Sequence, residues 1–249
     1  MAGFIFLKKD KEKIELFVVK YGDSVYSSKH VYYEDQLSKD VTFSWFFYVL
    51  KYKEKIILID TGIGDKSRAD YFKINYKDPV VILKEINIKP EMVSDVIITH
   101  SHFDHIGNLD KFTNAKIYIQ KDELKELKGD SNNKKIADFL NDNRNIIEFD
   151  KNYLLYNFLE IEKIGGHTIG SSVVSFKYNN KNYVLTGDEC YLIDNCLGKP
   201  IGTYYNIAQN KNFIEKIINI KNKIILTFHD PLIFSRYQKI NDFVAQVAP

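Results

Sequence analysis

The chain has 249 residues, 45% hydrophobic and 27% charged, which is the composition of a globular protein with a full core and excludes wholesale disorder. Its 35 Lys and Arg stand against 33 Asp and Glu, a formal charge of +2 that is too balanced for a protein built to coat nucleic acid or an anionic membrane. The aromatic run Phe43 to Leu50 falls far short of the ~20 apolar residues of a membrane span.

In chain order, the start MAGFIFLKKDKEK has an apolar stretch from Gly3 to Leu7 followed by charges, too short for a signal peptide. With only Cys190 and Cys196, which fit a reducing compartment as free thiols, a cytoplasmic protein is expected, and Cys190 reads as a small packing residue. Ile14, Leu16 and Val18 alternate as a strand does. FSWFFYVLKYKEKIILID reads as two strands around a lysine-rich turn, Lys51 to Lys55, closed by Asp60-Thr61-Gly62. Asp78-Pro79 supplies an N-cap and first-turn proline for a helix to about Asn87. Short strands are expected at Val96 to Thr99 and Ile117 to Gln120, and helices at Lys121 to Lys128 and Lys134 to Asn143. The charge run Lys121 to Lys135 reads as a solvated helical face. Short strands return from Ile146 to Leu185, with Tyr178-Asn179-Asn180-Lys181 the clearest turn, then a helix over Asn212 to Ile220 and a strand over Ile224 to Phe228. No linker or repeat interrupts this order, so one domain over residues 1–249 is expected, two similar halves packing as two sheets covered by helices.

The strand Val96 to Thr99 runs straight into His100-Ser101-His102-Phe103-Asp104-His105. Residues two apart in an extended segment point the same way, so His100 and His102 can reach one ion together, while Asp104 and His105 come a turn later and can serve a neighbouring ion. Imidazole and carboxylate are donors that a borderline divalent metal accepts. With six histidines and 20 aspartates in the chain, an H-x-H-x-D-H hexad arises by chance on the order of 10⁻⁴ times. His167 lies in Gly165-Gly166-His167-Thr168, Asp188 in Thr186-Gly187-Asp188, and His229 directly after Phe228. Each candidate follows an apolar strand, and rigid strands can bring such ends to one rim. His30 has no partner at metal spacing and reads as a loop histidine; Tyr71-Phe72 suits either an apolar pocket or the core.

The hexad, a lone histidine, an aspartate and a last histidine together resemble the metallo-β-lactamase fold superfamily, over essentially the whole chain. The resemblance implies an α/β architecture, a four-layer αββα sandwich with the site at one edge of the two sheets. It implies one metal on His100, His102 and His167, a second on Asp104, His105 and His229, with Asp188 between them and Asp60 behind a ligand. The ions implied are divalent, zinc first, with iron, manganese or cobalt as alternatives. Spacings of 62, 21 and 41 residues along His105, His167, Asp188 and His229, with Tyr191 three residues after Asp188, are similar to the N-acyl-homoserine lactonase, autoinducer-inactivating branch. There the tyrosine contacts the lactone carbonyl or leaving oxygen. The turn His167-Thr168-Ile169-Gly170-Ser171 departs from that branch in lacking its proline and second histidine.

A hydrolase of small lactones or esters is therefore expected, with N-acyl-homoserine lactones as first candidates and no nucleic-acid or membrane partner; oligomeric state is left open. Two ions ~3.5–4 Å apart would hold hydroxide ready at neutral pH to attack the carbonyl. Tyr191 would steady the oxyanion and Asp104 would handle the proton on the leaving oxygen. The alternatives on the same fold are a phosphodiesterase and a glyoxalase-II-like thioesterase. From a different class, a non-catalytic metal-binding sensor would be expected to lack a ligand, and none is lacking.

Overall fold

The computed structural model describes residues 13–249. The N-terminal reading of residues 1–12 lies outside them.

The chain lays down one sheet, then a second, then returns to the first. Strands β1 (Ile14–Ser27), β2 (Asp40–Tyr52), β3 (Lys55–Ile59), β4 (Asn75–Tyr76), β5 (Asp95–Ile97), β6 (Lys116–Gln120) and β7 (Ile146–Phe149) belong to the first sheet. Strands β8 (Asn152–Leu155), β9 (Leu159–Lys163), β10 (Ser172–Tyr178), β11 (Lys181–Leu185) and β12 (Lys223–Leu226) make the second. β13 (Gln238–Lys239) and β14 (Val244–Ala248) rejoin the first, where β14 pairs antiparallel with β1. β3, β5, β6 and β7 run parallel, as do β11 and β12, so their C-terminal ends gather at one rim of each sheet. Among the described residues the halves are thus unequal, nine strands against five, two of the nine being added by the C-terminal segment.

Period-two alternation explains the layers. On β2, Phe46, Tyr48 and Leu50 face Val174, Phe176 and Leu226 of the second sheet in the central core. Their neighbours Phe47 and Val49 point the other way and pack with Ile82, Leu83, Leu124 and Leu140 of the covering helices. Both faces of β2 are buried, which is why its sequence is continuously apolar rather than alternating. On the far side of the second sheet, Val173 and Val184 pack against Phe213, Ile214 and Ile217. Helix, sheet, sheet and helix make four layers, an αββα sandwich.

The helix over Pro79–Glu85 is capped by Asp78, which accepts from Val80 N and Val81 N, and a left-handed Asn87 ends the turn that follows it. Asn179 and Asn180 both adopt positive φ, as a tight hairpin turn requires. The last long helix runs Ile207–Ile218 rather than from Asn212, because the side chain of Asn206 caps it by accepting from Ala208 N and Gln209 N. Ser28–Val31 is a helical turn between the first two strands.

The cysteines correct the sequence-based expectation. A short helix, Ile193–Cys196, folds the chain back so that Cys190 and Cys196 meet, fully buried, as a disulfide with Cα atoms 5.7 Å apart. Neither is a free thiol, and the argument they gave for a reducing compartment falls. Among the described residues no helix is long and apolar enough to cross a membrane.

Candidate metal centre

The rim where the two sheets meet is closed by main chain. Ser172 N donates to Thr99 O, and Ser44 N to His229 O, at 2.9 and 3.0 Å. All seven candidate ligands converge there. His100 and His102 come off β5, Asp104 and His105 from the turn Phe103–Ile106, His167 from the loop between β9 and β10, Asp188 from the turn after β11 and His229 from the end of β12.

Two donor sets form, and Asp188 belongs to both. In the first, His102 Nδ1 lies 3.0 Å from both His100 Nε2 and His167 Nε2, and Asp188 Oδ2 lies 3.6 and 3.5 Å from the same two nitrogens. In the second, Asp188 Oδ1 lies 3.3 Å from His105 Nε2 and 3.1 Å from His229 Nε2, while Asp104 Oδ2 is 3.2 and 3.6 Å from them. Ligands held about 2.0–2.1 Å from a tetrahedral ion sit about 3.3–3.4 Å apart, so these separations suit one cation in each set.

Other observations fit a metal. His105 Nε2 is buried without hydrogen-bond geometry to any partner, although carboxylates surround it. Burial holds His100 well below the usual imidazole range and pushes His167 down to about 4, leaving neutral rings with lone pairs to give. For His105 burial acts in the same direction, but the carboxylates of Asp104, Asp188 and Asp60 outweigh it and hold the ring well above that range. Among the described residues no lysine or arginine is buried, so apart from the His105 ring those carboxylates have no basic side chain buried beside them. The His/Asp cluster is suited to two metal ions.

The ligands are braced from behind. His105 Nδ1 donates to Asp60 Oδ2 at 2.6 Å. Asp60 sits at the end of β3 with φ 65°, a left-handed conformation that aspartate tolerates, and its carboxylate also accepts from Thr99 N and Thr99 Oγ1. His167 Nδ1 donates to Thr203 O at 3.0 Å. Phe43 stacks on His229 at 4.8 Å between centroids, and Trp45 meets the same ring edge-on at 4.9 Å.

Tyr191 is buried over the cluster. Its ring lies 5.5 Å from that of His167 and 5.7 Å from that of His229, and its hydroxyl is 3.4 Å from His167 Nδ1. Burial raises its phenol well above the ordinary value, with Asp188 adding to the effect. His30 is exposed and stands outside both donor sets, with Nδ1 3.3 Å from Thr203 Oγ1. His102 alone among the seven is not buried, and two clefts flank it. One, of about 760 Å³, runs between His102, Glu126, Thr203 and Tyr205. The other, of about 700 Å³, includes Arg68, Tyr71, Phe72 and Phe103, with Phe72 stacked on Phe103 at 4.7 Å.

Two acids that the sequence did not single out complete the site. Glu189 accepts from Gly166 N, His167 N, Ser171 Oγ and Asn210 Nδ2. Glu123 accepts from Ser101 and from the far side of the same loop. The lysines of the run Lys121 to Lys135 are exposed, as on a solvated helical face, but the helix turns Glu123, Leu124 and Leu127 inward, so Glu123 departs from that reading. The glycines were the one available signal. A Cβ on Gly166 would lie 2.3 Å from Glu189 Oε2, and one on Gly170 would lie 2.8 Å from Glu123 Cβ.

A four-layer αββα sandwich with this His/Asp cluster at the rim between its sheets defines a class, the metal-dependent hydrolases. The family model of the metallo-β-lactamase superfamily matches residues 42–195, and the chain belongs to that superfamily. It is 30% identical over 174 residues to a probable metallo-hydrolase of Methanocaldococcus jannaschii, the match covering 69% of this chain and 72% of that protein. It is 29% identical over 163 residues to an N-acyl homoserine lactonase of Bacillus cereus, covering 59% of this chain and 64% of that enzyme. The fold is also that of an N-acyl homoserine lactone hydrolase solved with N-hexanoyl-L-homoserine at its catalytic metal centre, with a TM-score of 0.78 at 20% identity over 92% of this chain and 98% of that one. The relatives thus include the lactonase branch that the motif spacing resembles.

Proposed function

We propose that this chain opens the ring of lactones, with N-acyl homoserine lactones as first candidates and simple carboxylic esters in the same class. The observation that carries the reading is Tyr191, whose buried ring lies against His167 and His229 over two donor sets that share Asp188. His100, His102 and His167 with Asp188 would hold one ion, and Asp104, His105 and His229 with Asp188 the other. Imidazole and carboxylate donors favour zinc, with iron, manganese or cobalt as alternatives. When bound, such a pair of ions lowers the pKa of a water and polarises the substrate carbonyl.

The side chains do the rest. Tyr191 keeps its proton, since burial raises its pKa, and so remains a hydrogen-bond donor to an oxygen that gains negative charge in the transition state. Asp104 would receive the proton of the attacking water and return it to the leaving alkoxide of the ring. Phe43 and Trp45 cover His229 and keep bulk water from that side.

The mouth supports a neutral substrate over a phosphodiester. The two clefts beside His102 carry Asp65, Glu126 and Asp130 but one cation, Arg68. Beyond the proposed ions themselves, that lining offers an anionic diester no cation but Arg68, whereas an uncharged lactone needs none. The deciding experiment supplies zinc-loaded protein with N-hexanoyl homoserine lactone, a phosphodiester and a thioester, and follows acid or chromophore release. Ring opening is expected to dominate. Efficient phosphodiester or thioester cleavage with the lactone untouched would reject the reading.

A further inference from the structure

Among the buried acids, Glu123 has no part in either donor set, yet it touches the loops that carry three of the proposed ligands. Its carboxylate is 1% exposed. One oxygen, Oε1, accepts from Ser101 N at 2.8 Å and from Ser101 Oγ at 2.6 Å. The other, Oε2, accepts from Thr168 Oγ1 and Gly170 N, both at 2.8 Å. Ser101 sits between His100 and His102, and Thr168 directly follows His167. The helix that carries Glu123 starts at Lys121, where Gln120 caps it by accepting from Asp122 N and Glu123 N, so the position of the carboxylate is fixed by its own element.

We propose that Glu123 is a positioning residue for the first ion: it staples the His100–His102 segment of one sheet to the His167 loop of the other, and so sets the three-imidazole geometry before any metal arrives. The inference rests on the metal reading of the seven residues. Three features support it. Each oxygen serves one loop, so the carboxylate spans them as a bridge. All four groups reach Glu123 as donors, the two main-chain N–H groups among them being unable to accept, and a carboxylate, which accepts only, satisfies all four. No contact joins Glu123 to Asp104, His105 or His229, so its effect should stop at the first set. Glu189 grips the same loop from the opposite side through Gly166 N and His167 N, but it does not reach Ser101, and it cannot take over the link.

Glu123→Gln keeps the size of the side chain and turns one acceptor into a donor facing donors. The test is made in two backgrounds of the full chain, by zinc titration against a chromophoric chelator. His229→Ala leaves the first donor set intact, and His102→Ala leaves the second. Outer partners of metal ligands typically contribute ten- to a hundred-fold in affinity. Glu123→Gln is therefore expected to weaken zinc by about that factor in the His229→Ala background and to leave the His102→Ala background unchanged. Equal loss in both backgrounds, or loss in neither, would overturn the proposal, because a merely structural acid would lower melting temperature without choosing between ions. Should Glu123→Gln fail to fold, Thr168→Val removes one of the four bonds and is read in the same two backgrounds, with the same selective loss expected. Failure of the metal reading itself is distinguishable, because the parent protein would then bind no zinc at either set.

Discussion

At the scale of single residues the site sets Tyr191, which would touch substrate alone, apart from the seven groups that would hold metal. Tyr191 is in reach of substrate without being a ligand, so Tyr191→Phe should lower turnover about ten- to a hundred-fold, the equivalent of one lost transition-state hydrogen bond of roughly 1–3 kcal/mol. Metal content measured on the same sample should stay at the parent value, and a parent rate would assign the ring to packing. Asp60 is the converse. Its carboxylate holds His105 Nδ1 at 2.6 Å and reaches His100 only through the Thr99 hydroxyl, so Asp60→Asn should weaken the second ion about ten- to a hundred-fold in chelator competition and the first ion less. The seven donors were legible in the sequence because their chemistry is written in the side-chain type and because each follows an apolar strand. Glu123 and Glu189 were not legible. They hold backbone N–H groups, which leave no mark in the sequence, together with Ser, Thr and Asn side chains whose type announces no buried acid, and only the crowded glycines hint at them.

At the scale of elements, the loop between β9 and β10 is tightly constrained. It lies between two buried carboxylates, and Gly166 leaves no room for a methyl group, since a Cβ there would also sit 2.9 Å from Asn210 Cα. Gly166→Ala should cost about 1–3 kcal/mol by overpacking and should displace His167, so melting temperature and zinc stoichiometry should fall together. The helix Ile207–Ile218 offers a contrast on its exposed end. Asn206→Ala removes its cap and should cost about 0.5–2 kcal/mol in denaturant unfolding while metal content is kept. The same asparagine shows where sequence reading stops at this scale. Asn206 stands after Tyr204-Tyr205 with no periodic pattern leading into it, and the apolar stripe begins to repeat only near Phe213, so the helix is read about one turn late. The hairpin at Asn179-Asn180 was legible for the opposite reason, because the turn type demands those residues locally. The pairing of β14 with β1 spans almost the whole chain, and no local signal near Val244 could announce it.

At the scale of the whole molecule, the donor sets are shared between the sheets. His100, His102 and His105 belong to the first, and His167, Asp188 and His229 to the second. Metal should therefore stabilise the fold as a unit, by about 2.7 kcal/mol at a free concentration a hundred times the dissociation constant, and chelation should lower the melting temperature correspondingly. An unchanged melting temperature across a zinc series would contradict that coupling. Two sheets covered by helices were legible because apolar strands and helices alternate along the chain; the disulfide was not, because two cysteines six residues apart carry no pairing signal and meet here through the fold of the segment between them. The closed rim has one more consequence, for traffic. Main-chain bonds tie the two sheets together beside the cluster, and His102 is the one of the seven donors that is not buried, so under the lactone reading substrate and product would share the clefts that flank His102. For the acyl lactones proposed above, departure rather than bond breaking should become the slow step as the acyl tail lengthens, and a burst of product in the first turnover is the kinetic trace expected.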